Sequence, residues 1–519
     1  MTRYTKLTLF FLTLSSLLPG NCLAGEFSVA TIFSDGMVLQ RAEPVPVWGW
    51  ADAGATVVVE FNGQKKTTAA DTDGRWQVKL DAMKALNTGQ KMVIVCGDDS
   101  KTINDVVVGE VWFCSGQSNM TVTLGFLSQF PVMEKRYQPV VDYIDKEIET
   151  AHDPLLRQFH VGIGTSPFEP LDQGNGSWNA STSPQENKTF TGTGYFFGKE
   201  VRAKLDVPVA LIKCDYGGTL IEPWVPESGH KLFPALWARY EKHIQALREK
   251  CEDWDAGETQ KKYDAAVAKW EAGGKKGAKP FNWGDPAKGA LNRATLFNGM
   301  VCPVIPYGIK GVIWYQGESN SGPHAAEYAV SFEAMVRGWR DRWRKPDLPF
   351  YTAQLASFKG REGRMWLTES QRRATGHIDH TGLAVLCDVG EYEDVHPKNK
   401  IDVGKRLALW ALKQDYRRDV PAWSGPLYKS HQTKGDHIVV TFDHAGSGLM
   451  VGRKNLLEPA REMDLALRSS DEEALFKNLK QVYGVNAVSG TSMKPDGLPD
   501  NYGGNTGAVE IAVYGVPVD

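Results

Sequence analysis

Apolar and polar positions alternate in two different rhythms along the chain, with the change near residue 106. Between residues 26 and 105 the rhythm is that of strands. Pro44–Trp50 and Thr56–Phe61 are β-rich runs, and the second is closed by Asn62-Gly63, a pair that favours a two-residue hairpin turn. Arg75–Leu80 alternates with period two after Asp73-Gly74, and Lys91–Cys96 is a further apolar run. Short strands separated by regular turns predict a β-sandwich over 25–105.

From 106 onward, apolar strands alternate with helical periodicity. Val106–Phe113 is the first strand. Gly192–Leu205 has helical spacing in its second half, and Val207–Cys214 is a strand. Leu296–Met300 is helical, Gly308–Tyr315 is a strand, and a helix covers 325–343. Strands Phe350–Leu355 and Leu383–Val389 and a helix over 399–415 complete the series. This alternation predicts an α/β domain over 106–418 with a parallel sheet and helices on both faces. Residues 231–290 break the pattern with two charged amphipathic helices, Leu236–Trp254 and Glu258–Trp270, and the flexible stretch Gly273–Gly277. They are expected to form a helical insert on the surface. In 419–519, Asp436–Phe442 and Val509–Tyr514 read as strands and Ser470–Val482 as an acidic helix, so a small β-rich region is expected.

Composition narrows the class. The chain has 519 residues, 42% hydrophobic and 23% charged, which is globular and sufficient for several domains. A formal net charge of −3 and the lack of a polybasic run give no basis for nucleic-acid or anionic-membrane partners. The first 24 residues read as a cleavable export signal: Arg3 and Lys6, an apolar Leu7–Leu18, Pro19-Gly20 and then Ala24. The apolar stretch is too short to span a bilayer comfortably. A secreted or periplasmic protein with no membrane span is expected. Cys96, Cys114, Cys214, Cys251, Cys302 and Cys387 follow the signal, and none forms a Cys-x-x-Cys pair, so no zinc site is expected. The 16 Trp are numerous; most belong to a core, but exposed Trp suits stacking on sugar rings.

The candidate chemistry lies where strands end. Val106–Phe113 runs into Cys-Ser-Gly116-Gln-Ser118-Asn, Val207–Cys214 into Tyr216-Gly217-Gly218-Thr219, and Gly308–Tyr315 into Gln316-Gly317-Glu318. A fourth loop carries Glu393-Asp394-Val395-His396-Pro397. Parallel strands bring such loops to one edge of the sheet. Together they supply a hydroxyl nucleophile, a base, carboxylates to orient it and backbone donors for an oxyanion. Taken singly, Ser118 reads equally as a helix cap, Glu318 and Asn320 as caps, Gly217-Gly218 as a turn and His396 as a surface residue. No Gly-x-Ser-x-Gly surrounds Ser118, which argues against an α/β-hydrolase elbow.

Four motifs carry a resemblance: Gly109–Met120, Tyr216–Trp224, Gly311–Asn320 and Asp394–Lys400. In this order they resemble the sialate O-acetylesterases, members of the SGNH hydrolases related to acetyl xylan esterases. The resemblance implies a flavodoxin-like SGNH hydrolase core with flanking β-sandwich domains, and a serine esterase needing no metal or cofactor. It implies Ser118 as nucleophile, His396 as base, and an oxyanion hole from Ser118, Gly218 and Gln316. The acid is left open among Glu393, Asp394 and Glu318. The implied substrate is an O-acetylated sugar, sialic acid first, with acetylated xylan or another polysaccharide as the alternative and a non-catalytic glycan-binding protein as the third reading. Tyr216 stands where the family has Trp, with Asp215 before it, and the match fades beyond residue 455.

Overall fold

Strand Asp99–Gly116 is the spine of the molecule. In the computed structural model, which describes residues 26–132, 135–280, 282, 284–360, 363–420, 422–434 and 437–444, every residue of this strand from Val106 onward is buried. Such an unbroken apolar run suits a central strand covered on both faces. Its side chains alternate accordingly. Trp112 meets Phe197 and Tyr351 on one face, and Phe113 meets Trp339 and Trp343 on the other. The export signal, Ser470–Val482 and Val509–Tyr514 lie outside the described residues.

The first half of the spine pairs with Leu86–Cys96, which pairs with Thr56–Phe61. Thr56–Phe61 turns through Asn62 (φ 49°) and Gly63 (φ 74°) into Gln64–Ala69, the hairpin expected from that pair. A separate three-stranded sheet holds Ser28–Val29, Val45–Trp50 and Arg75–Leu80. The inward positions of both sheets, including Val47, Trp76, Val57 and Ile94, merge into one buried cluster.

The second half of the spine is the middle of a sheet in the order Gly176–Ser181, Asp153–Val161, Val209–Asp215, Asp99–Gly116, Gly311–Tyr315, Phe350–Ala353, Thr381–Ala384. All neighbours are parallel except the edge pair Gly176–Ser181 with Asp153–Val161. Winding proceeds to one side of the spine through Val209–Asp215, then to the other through Gly311–Tyr315. A reversal of this kind opens a crevice at the carboxyl ends of the strands.

Helices Gly192–Leu205 and Lys400–Gln414 cover one face, and Tyr328–Trp343 and Arg364–His377 belong to the other. The first pair approaches closely at Gly404, where a Cβ would lie 2.6 Å from the Phe197 amide nitrogen. Helices Pro234–Glu252 and Ala256–Ala272 fall in the stretch expected to be a helical insert, and the second buries no residue.

Three expectations shift. The strand placed at Leu383–Val389 is Thr381–Ala384, because the chain leaves the sheet after Ala384 to build the His396 loop. Phe350–Leu355 shortens to Phe350–Ala353, and the stretch expected to be helical at Leu296–Met300 is helical in the wider π form, over Phe297–Val301. Three further elements had no clear apolar signature. These are Asp153–Val161, Gly176–Ser181 and Arg364–His377, while Gln138–Thr150, also unforeseen, does carry a helical stripe of Val140, Val141, Ile144 and Ile148. Asp153–Val161 buries Arg157 and Gln158, and Arg364–His377 buries only Leu367, Ser370, Gln371 and Ala374. Of the C-terminal region, the hairpin Leu427–Lys434 with His437–Asp443 is described, overlapping the strand expected at Asp436–Phe442.

Gly404→Val forces methyl groups into the Phe196–Phe197 backbone. It is expected to lower stability by about 2–4 kcal/mol, the range for overpacking a tight contact. Denaturant unfolding checks this, and an unchanged midpoint would contradict the close helix contact.

Candidate active site

Gly116 ends the spine with φ +141°, and a Cβ there would sit 2.1 Å from the Tyr315 carbonyl oxygen. Only glycine allows the two strand ends to approach this closely. Gln117 follows, donating its backbone N–H to Tyr315 O at 3.0 Å. Its buried side-chain carbonyl accepts from Gly317 N at 3.1 Å, Ser319 N at 3.3 Å and Gln316 Nε2 at 3.1 Å. The serine loop is thereby tied to the third strand-end loop. Ser118 is the first residue of the turn Ser118–Thr121. Its hydroxyl and backbone N–H have no acceptor among the described residues.

The second loop lies against it. A Cβ on Gly217 would be 3.8 Å from Ser118 Cβ, and Gly218 has φ +74°. Thr219 Oγ1 donates to Tyr216 O at 2.8 Å, and Trp224 Nε1 donates to Thr219 Oγ1 at 3.2 Å, which holds the turn rigid. The N–H groups of Gly217 and Gly218 have no acceptor among the described residues, so they remain available to a negatively charged oxygen.

Gln316 does not stand in the oxyanion position expected of it. It is fully buried, and Nε2 donates to Gln117 Oε1, Thr219 O (3.0 Å) and Asn320 Oδ1 (2.7 Å). Its amide hydrogens are consumed in joining three loops.

The fourth loop delivers His396. Asp394 Oδ1 accepts the His396 backbone N–H at 2.8 Å and lies 3.8 Å from His396 Nδ1. Asp394 Oδ2 accepts from Lys398 Nζ at 3.0 Å. Asp394 is thus the carboxylate beside the imidazole. Glu393 is not: its side chain points outward and pairs with Lys359 at the surface. Glu318 is buried on the cavity wall and accepts from Asn119 Nδ2. Asn119 Nδ2 also donates to Val395 O at 3.1 Å, and its Oδ1 accepts from Lys400 Nζ at 2.7 Å.

Ser118, His396, Glu318 and Arg364 line one cavity of about 280 Å³. Burial lowers the His396 pKa below the ordinary imidazole value; Lys400 adds to this, Asp394 opposes it, and Lys398 adds a little more. This favours the neutral imidazole, the form able to accept a proton. Burial raises the Glu318 carboxyl and pushes the Lys400 amine down to about 7. Among the described residues, no group of three or more His, Cys, Asp or Glu side chains is placed to hold a metal.

Sequence reasoning overlooked Gln117, Asn119, Lys398, Lys400 and Arg364. The first four lie inside the quoted motifs, where polar residues flanking Ser118 and His396 were a usable signal. Arg364 had none, since its helix was not foreseen.

A family model described as "Carbohydrate esterase, sialic acid-specific acetylesterase" matches residues 108–276 and 265–413, more than half of the chain. A crystal structure of a carbohydrate acetylesterase from Xanthomonas citri is 32% identical, covers 82% of this chain and 83% of its own, and superposes with a TM-score of 0.64. Sialate O-acetylesterase of Rattus norvegicus is 28% identical over 464 residues, 80% of this chain and 79% of its own. That of Homo sapiens is 27% identical over 452 residues, 77% and 73% respectively.

Asp394→Asn removes the charge that raises the His396 pKa. The acid limb of the kcat/KM profile, expected below the free-imidazole pKa of about 6.5 in the wild type, should move still lower. The rate should fall by about 10²–10⁴, as when a carboxylate orienting a catalytic histidine is lost. A limb that moves upward would remove Asp394 from this role.

Proposed function

The chain belongs to the sialic acid-specific acetylesterase family of carbohydrate esterases and is an ester hydrolase acting on O-acetylated carbohydrate; from this premise we propose a serine mechanism centred on Ser118, with O-acetylated sialic acid as substrate. The observation that carries it is the placement of the Ser118 hydroxyl and the His396 imidazole on one cavity, with the Gly217-Gly218 turn against the serine.

His396 takes the Ser118 proton as Oγ bonds to the acetyl carbonyl carbon. The carbonyl oxygen becomes an oxyanion and accepts from the N–H groups of Ser118 and of the Gly217-Gly218 turn, with Gly218 the second donor. The C–O bond to the sugar breaks, and the sugar oxygen takes the proton from His396. Water then gives a proton to His396 and adds to the acetyl-Ser118 carbonyl. Acetate leaves as Ser118 recovers its proton. Asp394 stabilises the imidazolium in both halves. Glu318 acts at one remove, through Asn119.

Strand-end chemistry at the reversal point of the sheet supports an SGNH core over 106–418, with β-rich regions at 25–105 and 419–519. The first 24 residues support export, to the periplasm or outside the cell.

Ser118→Ala should cut hydrolysis of a chromogenic acetate by about 10⁴–10⁶, the cost of losing a triad nucleophile. A fluorophosphonate should label Ser118 in the wild type. Near wild-type turnover by the variant would overturn the mechanism, and absence of labelling would favour a non-catalytic glycan-binding protein. Acetate release from O-acetyl sialic acid should exceed that from acetylxylan; the reverse order would reassign the substrate.

A further inference from the structure

The ester chemistry uses Ser118, His396 and backbone N–H groups, and leaves one guanidinium on the cavity wall without a task. Arg364 begins helix Arg364–His377 and is the one Arg or Lys among the described residues lining the cavity. Its Nε donates to Ala356 O at 3.0 Å, and Nη2 donates to the same oxygen. The guanidinium carbon lies 5.7 Å from the centre of the Phe358 ring, which also lines the cavity. One edge of the fork is therefore anchored and one face is backed by an aromatic ring.

The Nη1 edge has no acceptor among the described residues. Glu318 is near enough for its charge to act on Arg364, but Arg364 donates no hydrogen bond to it, and the carboxylate is bonded to Asn119 instead. Burial works against the charged guanidinium. A half-buried cation with unused donors is costly unless an anion meets it. The rigid fork of arginine matches the two oxygens of a carboxylate, and its orientation here is set before any ligand arrives.

We propose that Arg364 binds a carboxylate carried by the acetylated sugar, which makes the site selective for esters of acidic sugars. This rests on the esterase reading above and adds to it the residue that reads the acid. Loss of a charge-assisted contact of this kind changes relative affinity by about 10- to 100-fold.

The test compares acetate release from O-acetylated sialic acid and from its methyl ester, in which the carboxylate is neutralised and the acetate is unchanged. In the wild type, kcat/KM should favour the acid by about 10-fold or more, mostly through KM. Arg364→Gln should collapse that ratio, and Arg364→Lys, a point charge without the fork, should keep only part of it. Fluorophosphonate labelling of Ser118 certifies that each variant is folded and competent. A wild type that treats acid and methyl ester alike overturns the assignment, as does an Arg364→Gln variant that keeps the preference. Should the wild type hydrolyse neither substrate nor any other acetylated sugar, the esterase reading falls instead.

Discussion

The Asn119 side chain is the contact on which the site depends. Its amide nitrogen reaches Glu318 on the third strand-end loop and the Val395 carbonyl on the fourth, while its oxygen accepts from Lys400. Ser118 is its neighbour in the chain, so this one amide holds the Ser118 loop in register with the loop that carries His396. Glu318 and Lys400 are buried, and such groups are tolerated only when their hydrogen bonds are made. Removing the amide would take one hydrogen bond from the buried Glu318 carboxyl and one from the buried Lys400 amine, and would untie the Ser118 loop from the loop that carries His396.

Charges around the imidazole are arranged to keep it neutral without leaving it unsupported. Burial, Lys400 and Lys398 all disfavour a second proton on His396, and Asp394 favours it. The Asp394 carboxylate is shared: one oxygen holds the His396 backbone N–H and lies near Nδ1, and the other holds Lys398. Lys398 damps the pull of that carboxylate on the ring. Lys400, pushed down to about 7 by burial, sits on the other side of the Asn119 amide and donates to Pro397 O as well, at 2.8 Å. Both lysines act on the His396 ring by charge, although neither is among the described residues lining the cavity.

Much of this was legible in the residues. Strands at Thr56–Phe61 and Arg75–Leu80 appear where period-two alternation and turn pairs put them, because side-chain alternation and turn chemistry are local signals. The unbroken apolar run from Val106 and the glycines after it marked the spine and its sharp end. Elements whose buried side chains are polar escaped detection. Asp153–Val161 hides Arg157, whose guanidinium bonds the carbonyls of Gly36 and Asp105 from distant parts of the chain, and no local pattern announces such a partnership.

By itself, the sequence determined the four strand-end loops, the glycines that let them turn, and the identity of Ser118 and His396 as the pair to watch. It left three carboxylates standing and placed Gln316 at an oxyanion it does not face. Tertiary structure set them apart in space. Glu393 and Asp394 are adjacent in the chain, yet one pairs with Lys359 at the surface and the other turns under the imidazole. Gln316 is drawn into the core by acceptors on three separate loops. Arg364 reaches the cavity from a helix with almost no apolar stripe. The physical reason is that a polar side chain turns toward its partners, and the deciding ones, Lys359 for Glu393 and Gln117 and Thr219 for Gln316, lie far away in sequence and exist only once the sheet has brought its loops together.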